Sequence, residues 1–261
     1  YILPVGLLFS ACGNEQKTAS NPPTNIIDSS QTPVNEYTDF QFHKYIANIP
    51  SPLEMINDLS KASLPFNKTL LNNPENESNY LTSTKKALNY GAYGVDLAYL
   101  ATNKEFRVIS KYFTTCRNLS INLDAVESFD KVVGSRLENN WENKDTLTRI
   151  MDQTFEATDQ YLRTNERELA AIEILTGGWV ESQYITFNLL KEVERNNENE
   201  FLFTRLYEQK FHLNSITDLL KQYETDADIK PILEKMTALN SDFKKISSAT
   251  EITKEKIKEL A

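Results

Sequence analysis

The chain predicts an all-α fold, a multi-helix up-and-down bundle with a long central helix, preceded by a disordered tether. Three observations carry that expectation. Only 7 of the 261 residues are glycine, against many Leu, Glu, Lys, Asn and Thr, a balance that suits helices better than a β-sandwich with its frequent turn glycines. Apolar residues recur three and four positions apart through most of the chain beyond residue 50. Residues 166–193 are apolar around most of a helical circumference, the mark of a helix enclosed by others rather than laid on a surface.

On a helical wheel of that last stretch, Glu173, Gly177, Glu181, Tyr184, Asn188, Lys191 and Glu192 share roughly a third of the circumference. The remaining arc carries Leu169, Ile172, Ile174, Leu175, Trp179, Val180, Ile185, Phe187, Leu189, Leu190 and Val193. At full length such a helix runs about 40 Å, long enough to traverse one domain.

Taken in order, residues 1–11 read as a signal-peptide remnant, an apolar run too short to span a bilayer that ends in small residues before Cys12. It opens on Tyr1 with no basic leader, which we read as a leader cut short. Residues 12–39 are rich in Asn, Ser, Thr, Gln and Pro and have little that repays ordering, so they predict a flexible tether. Residues 40–261 are expected to form a single helical domain, with Phe40, Phe42, Tyr45 and Ile46 as an extended segment docking on the bundle.

The first helix starts at Ser51, with Pro52 in its first turn and Glu54 placed to close a capping box, and runs to about residue 62. After a loop with Pro65 and Pro74, a helix over about 80–101 carries Ala87, Gly91, Gly94, Ala98 and Ala101 on one line. Two glycines inside a helix cost about 1 kcal/mol each, so the line is expected to admit a close neighbour, with Ala171, Gly178 and Ser182 facing it. A helix over about 104–120 follows, then one capped by Asp124 with Glu127 three residues on. The next spans about 144–164 with Leu147, Met151, Phe155 and Leu162 inward, and Asn165 with Glu168 opens the central helix. Beyond the polar break at 195–199, Leu202, Leu206, Leu213, Ile216, Leu220 and Tyr223 share a face. Ile232, Met236, Leu239, Phe243 and Ile246 form a narrow seam fit for antiparallel packing. A last helix, about 251–260, is mostly charged and is expected to fray.

The search for chemistry is mostly negative. A net charge of −9 with no Lys/Arg stripe argues against nucleic acid as partner. Of two histidines, His43 lies in the docking segment, and His212 follows Glu208 by four residues without a second Glu/His element to complete a metal site. No zinc-protease, EF-hand, phosphate-loop or serine-hydrolase motif occurs, so no cofactor, catalytic residue or metal ligand is assigned. Cys116, on the line of Phe106, Ile109 and Phe113, reads as a small core residue, although a disulfide with Cys12 stays open. Two places suit a pocket. Asp96 interrupts an apolar run but shares a stripe with Thr82, Lys85, Asn89 and Asn103, so it is read as facing solvent or pairing locally. Gly177, Gly178 and Trp179 suit a cleft with Glu181 and Tyr184 on its rim, or else a packed core tryptophan.

The stretch Leu8-Phe9-Ser10-Ala11-Cys12-Gly13 resembles a bacterial lipobox, with Phe9 where Leu is commoner. The resemblance implies cleavage before Cys12, its lipidation, and a protein moored to a membrane by acyl chains, each buried CH₂ adding about 0.8 kcal/mol. With Ile49-Pro50-Ser51-Pro52, Ala87-Leu88-Asn89-Tyr90-Gly91-Ala92-Tyr93-Gly94-Val95-Asp96-Leu97 and Gly177-Gly178-Trp179-Val180-Glu181, the chain is similar to helical lipoproteins of Bacteroidota, a group with no established activity. That similarity covers about residues 49–190 and brings no catalytic motif. Asp145-Thr146-Leu147 resembles the short O-glycosylation motif of that phylum, and a helix N-terminus explains it equally well.

The expectation is therefore a lipid-anchored protein of the cell envelope, at the outer membrane and facing the periplasm or the surface. It acts as a non-enzymatic module that binds an envelope protein or a small ligand. A small-molecule or cofactor carrier with a cleft near Trp179 is the first alternative, and an enzyme with an unrecognised carboxylate site the second.

Overall fold

Among the residues that the computed structural model describes, 49, 51–62, 64–138 and 143–260, all regular structure is helical. The stretches expected to be a signal remnant and a tether with Cys12, and the segment holding Phe40, Phe42, His43, Tyr45 and Ile46, lie outside them. The helices are α1 (Pro52–Lys61), α2 (Ser83–Thr102), α3 (Phe106–Asn122), α4 (Val126–Glu138), α5 (Lys144–Thr164), α6 (Glu168–Leu190), α7 (Glu200–Lys221), α8 (Ile229–Lys244) and α9 (Lys254–Leu260). No helix among the described residues is long and apolar enough to cross a membrane.

Start signals explain several of these elements. The Ser51 hydroxyl accepts from Leu53 N–H, and Pro52 takes the first turn, where a missing N–H is harmless. Thr82 caps α2 through Lys85 N–H, and Asn143 caps α5 through Thr146 N–H. Two expected caps fail. Asp124 and Asn165 do not open helices; Asn165 closes α5, and Asp124 is left-handed at φ 55°. Lys104 (φ 60°) and Glu166 (φ 57°) share that conformation. Each left-handed residue sits in a tight turn in which the next N–H bonds a carbonyl five residues back: Glu105 to Leu100 (2.9 Å), Ala125 to Ser120 (2.9 Å) and Arg167 to Leu162 (2.8 Å). Three helix ends thus use the Schellman turn without glycine.

α6, 23 residues and about 35 Å long, is the axis of the core. Apolar side chains from Leu53 to Ile257 form one continuous cluster around it. Its closest neighbour is α2, and glycine makes that approach possible. A Cβ on Gly91 would lie 2.0 Å from the Ile174 carbonyl oxygen, and one on Gly177 would lie 1.9 Å from that of Leu88. Gly178 sits against Pro52 and the Gly91 carbonyl, while Gly94 faces the Phe155 ring of α5 instead of α6.

This clamp also reorders the expected faces of α6. Glu173, Gly177 and Glu181 lie four residues apart, and Gly177 draws that stripe onto α2, burying both acids. Val180, expected inside, is exposed along with Tyr184. α8 packs its seam on α7 and stacks Phe243 against Phe187 of α6 at 6.3 Å. The last helix does not fray. Ile252 and Ile257 are fully buried, and Arg195, paired with Glu200, donates to the carbonyls of Ala249 (3.0 Å) and Ile252 (3.3 Å).

Candidate functional site

Open space borders the close contact of α2 and α6 at Gly91 and Gly178. Here that space is a cleft of about 570 Å³ between α1, α2, α5 and α6. Its floor is Gly91, Val95, Ile174, Leu175, Gly178 and the ring of Phe155. The volume falls within the range of about 300–1,000 Å³ common for small-molecule sites. Its rim is acidic. Glu54, Asp152, Glu156 and Asp159 line it, and no basic residue does among those described. Glu54 lies 4.0 Å from Arg205 and Asp159 pairs with Arg163, whereas Asp152 and Glu156 have no cationic partner among the described residues. Partial burial and then the charge of Glu156 hold the Asp152 carboxyl above its usual range.

A second groove of about 620 Å³ flanks the other side of α1 and is lined by Met55, Trp179, Ser182, Arg205, Phe211 and His212. Its polar groups are already engaged with one another. The Gln209 side-chain oxygen accepts from Trp179 Nε1 (2.9 Å) and Gln183 Nε2 (3.1 Å) and lies 3.3 Å from His212 Nδ1. Arg205 is neutralised by Asp58 (3.2 Å) and Glu208 (3.1 Å). Burial keeps the His212 imidazole below its usual pKa. Such a groove offers an incoming ligand few unsatisfied groups.

The six residues singled out from sequence do not share one cleft. Gly178 floors the apolar cleft, and Trp179, 2% exposed, walls the second groove as a packed core residue. Gly177 is taken up by the contact with Leu88, and Tyr184 stands in solvent. Asp96 corrects the expectation outright, being fully buried rather than facing solvent. It sits near the buried Glu181 and accepts from the Asn72 N–H and Nδ2, both at 3.1 Å. Burial raises the Glu181 carboxyl to about 7, and burial followed by the Glu181 charge raises that of Asp96. Cys116 is buried and free, with its thiol pushed up by burial, and Thr146 lies in the first turn of α5. No group of three or more His, Cys, Asp or Glu suited to a metal occurs among the described residues.

The acidic rim escaped the sequence reading although its signal was there. Asp152, Glu156 and Asp159 lie four and three apart on one stripe of α5, beside Phe155. Asn72 had no such signal, since its place depends on how the segment before α2 folds back. No family model matches the chain, and neither curated proteins nor solved structures give a match.

Proposed function

We propose that the protein is a lipid-anchored, non-enzymatic binding module of the cell envelope, whose cleft between α1, α2, α5 and α6 takes an elongated apolar molecule with a cationic head. The observation that carries this reading is the pairing of an apolar floor with a rim whose Asp152 and Glu156 lack cationic partners among the described residues. An apolar chain gains about 25 cal/mol for each Å² it removes from water, which supplies affinity, and the head group supplies selection. The lipobox-like stretch ending at Cys12 supports the anchor, and the tether would hold the cleft clear of the lipid surface.

Calorimetric titration of the full chain with dodecylammonium and with dodecanoate, both below micelle formation, tests the cleft. Saturable binding of the ammonium, at least tenfold tighter than the carboxylate, is expected. Leu175→Glu, which sets a charge in the half-buried wall, should abolish binding with helix content unchanged. Asp152→Asn combined with Glu156→Gln should erase the head-group preference while chain binding persists. Equal affinity for the two heads in the unmodified protein would overturn the reading. Mass spectrometry of the mature N-terminus tests the anchor, with acylated Cys12 expected as the first residue.

A further inference from the structure

The chain itself carries a segment with the chemistry that the cleft selects. Ile49, the first described residue, lines the cleft, so the residues before it join the domain at the cleft mouth. Residues 40–48 read Phe-Gln-Phe-His-Lys-Tyr-Ile-Ala-Asn. Phe40, Phe42, Tyr45 and Ile46 supply apolar groups, Lys44 supplies a full positive charge, and no acid offsets it. Alternate side chains of an extended chain share a face, which would put Phe40, Phe42, Lys44 and Ile46 together. Such a face matches the cleft group for group: apolar rings for the floor and an ammonium for the rim.

Reach favours the match. Nine extended residues span up to about 30 Å. Asp152, Glu156 and Asp159 are spread over about 10 Å of α5, well within that span. A segment joined at the mouth also acts at an effective concentration on the order of mM, so modest contacts suffice to hold it. The second groove, which Ile49 also lines, suits the segment less. Its acids Asp58 and Glu208 already face Arg205, a cation that repels Lys44. In the cleft, Asp152 and Glu156 have no cationic partner among the described residues and are open to one.

We propose that residues 40–48 dock in the cleft between α1, α2, α5 and α6, with their apolar side chains on its floor and Lys44 at Asp152 and Glu156. The inference rests on the cleft chemistry invoked for the proposed function, and it makes the segment a built-in competitor for the same site. An incoming amphiphilic cation must displace it. The apparent affinity for that ligand is lowered by the fraction of molecules whose cleft is already filled, so the segment sets the concentration at which the ligand binds.

Benzoylphenylalanine in place of Phe42 in the full chain, photoactivated and mapped by mass spectrometry, reads the docking. Adducts within one chain on Phe155, Ile174 or Leu175 are expected, and at least fivefold fewer when Asp152→Asn and Glu156→Gln are combined. Adducts only outside the cleft, as on Met55 or Phe211 of the second groove, or only between two chains, would overturn the proposal. Phe42→Ser combined with Lys44→Ser, again in the full chain, should tighten dodecylammonium binding at least fivefold with helix content unchanged. Binding equal to that of the unmodified protein would count against the segment as competitor. If neither form bound dodecylammonium, the ligand reading would fail by itself, and the photoadducts would still decide where the segment lies.

Discussion

Replacing Gly91 or Gly177 by alanine tests the clamp between α2 and α6 at its tightest points. Ordinary contact with a Cβ begins at 3.4 Å, so a methyl placed on Gly91, 2.0 Å from the Ile174 carbonyl oxygen, needs about 1.4 Å of separation, and at Gly177 the shortfall is about 1.5 Å. The opposing atoms are backbone in both cases and cannot turn aside. Parting the helices by that much opens a gap along their whole contact, and a gap of 0.5–1 Å already forfeits about a quarter to a half of each dispersion well. Overpacking alone costs about 1–3 kcal/mol or more, and alanine returns about 1 kcal/mol of helix propensity. With backbone on both sides the cost sits at the upper end of that range, so a net loss of about 2 kcal/mol follows, or roughly 4–8 °C in melting temperature for a domain of this size. Gly178→Ala is the control. Its Cβ would meet the Pro52 ring at 3.0 and 3.2 Å, a clash relieved by a few tenths of an ångström, so the change should stay within about 1 kcal/mol of neutral. Gly94→Ala should fall between, because the Phe155 ring it displaces lines the cleft and can swing into it. Denaturant unfolding of the four variants gives the order directly. If Gly91→Ala were no less stable than Gly178→Ala, the clamp would be refuted.

Three further outcomes are expected. Burial raises the Glu173 carboxyl from 4.5 to about 6, so the folded protein holds this proton more tightly than the unfolded chain. Its stabilising effect is complete below pH 4.5 and lost as pH rises through 6, and Glu173→Gln should flatten that slope by on the order of 1 kcal/mol in chemical denaturation. Lys104→Gly and Glu166→Gly relieve left-handed residues in exposed turns and should each raise stability by about 0.5–1 kcal/mol, read as a higher denaturation midpoint; a loss would contradict the turn geometry. Gln209→Leu leaves the buried Trp179 Nε1 without its acceptor, while Gln183 Nε2 keeps Ser182 Oγ, and should cost about 2 kcal/mol, with a shift in tryptophan emission.

Helix content and most helix spans were legible in the sequence, because apolar spacing and the Ser51-Pro52 start are local signals. The enclosed character of α6 was legible too, yet its exposed side was misjudged. A wheel ranks positions by polarity, but Gly177 between two glutamates reverses the ranking by letting a second backbone approach. The turns at Lys104, Asp124 and Glu166 were hidden for a related reason. Their conformation is imposed by the helices on either side, and no glycine marks it. Asp96 was misread because its partner Asn72 lies 24 residues away in a segment without periodicity. The cleft was half visible, Gly178 having been named and the acidic stripe of α5 passed over.

Photolabelling with a dodecylamine that carries a diazirine at its chain end probes the cleft most directly, with adducts mapped by mass spectrometry on the full chain. Labels on Phe155, Ile174 or Leu175, displaced by excess dodecylammonium but not by dodecanoate, are the predicted result. Labels confined to exposed apolar residues such as Leu81 and Phe211, or unaffected by the competing amine, would contradict it.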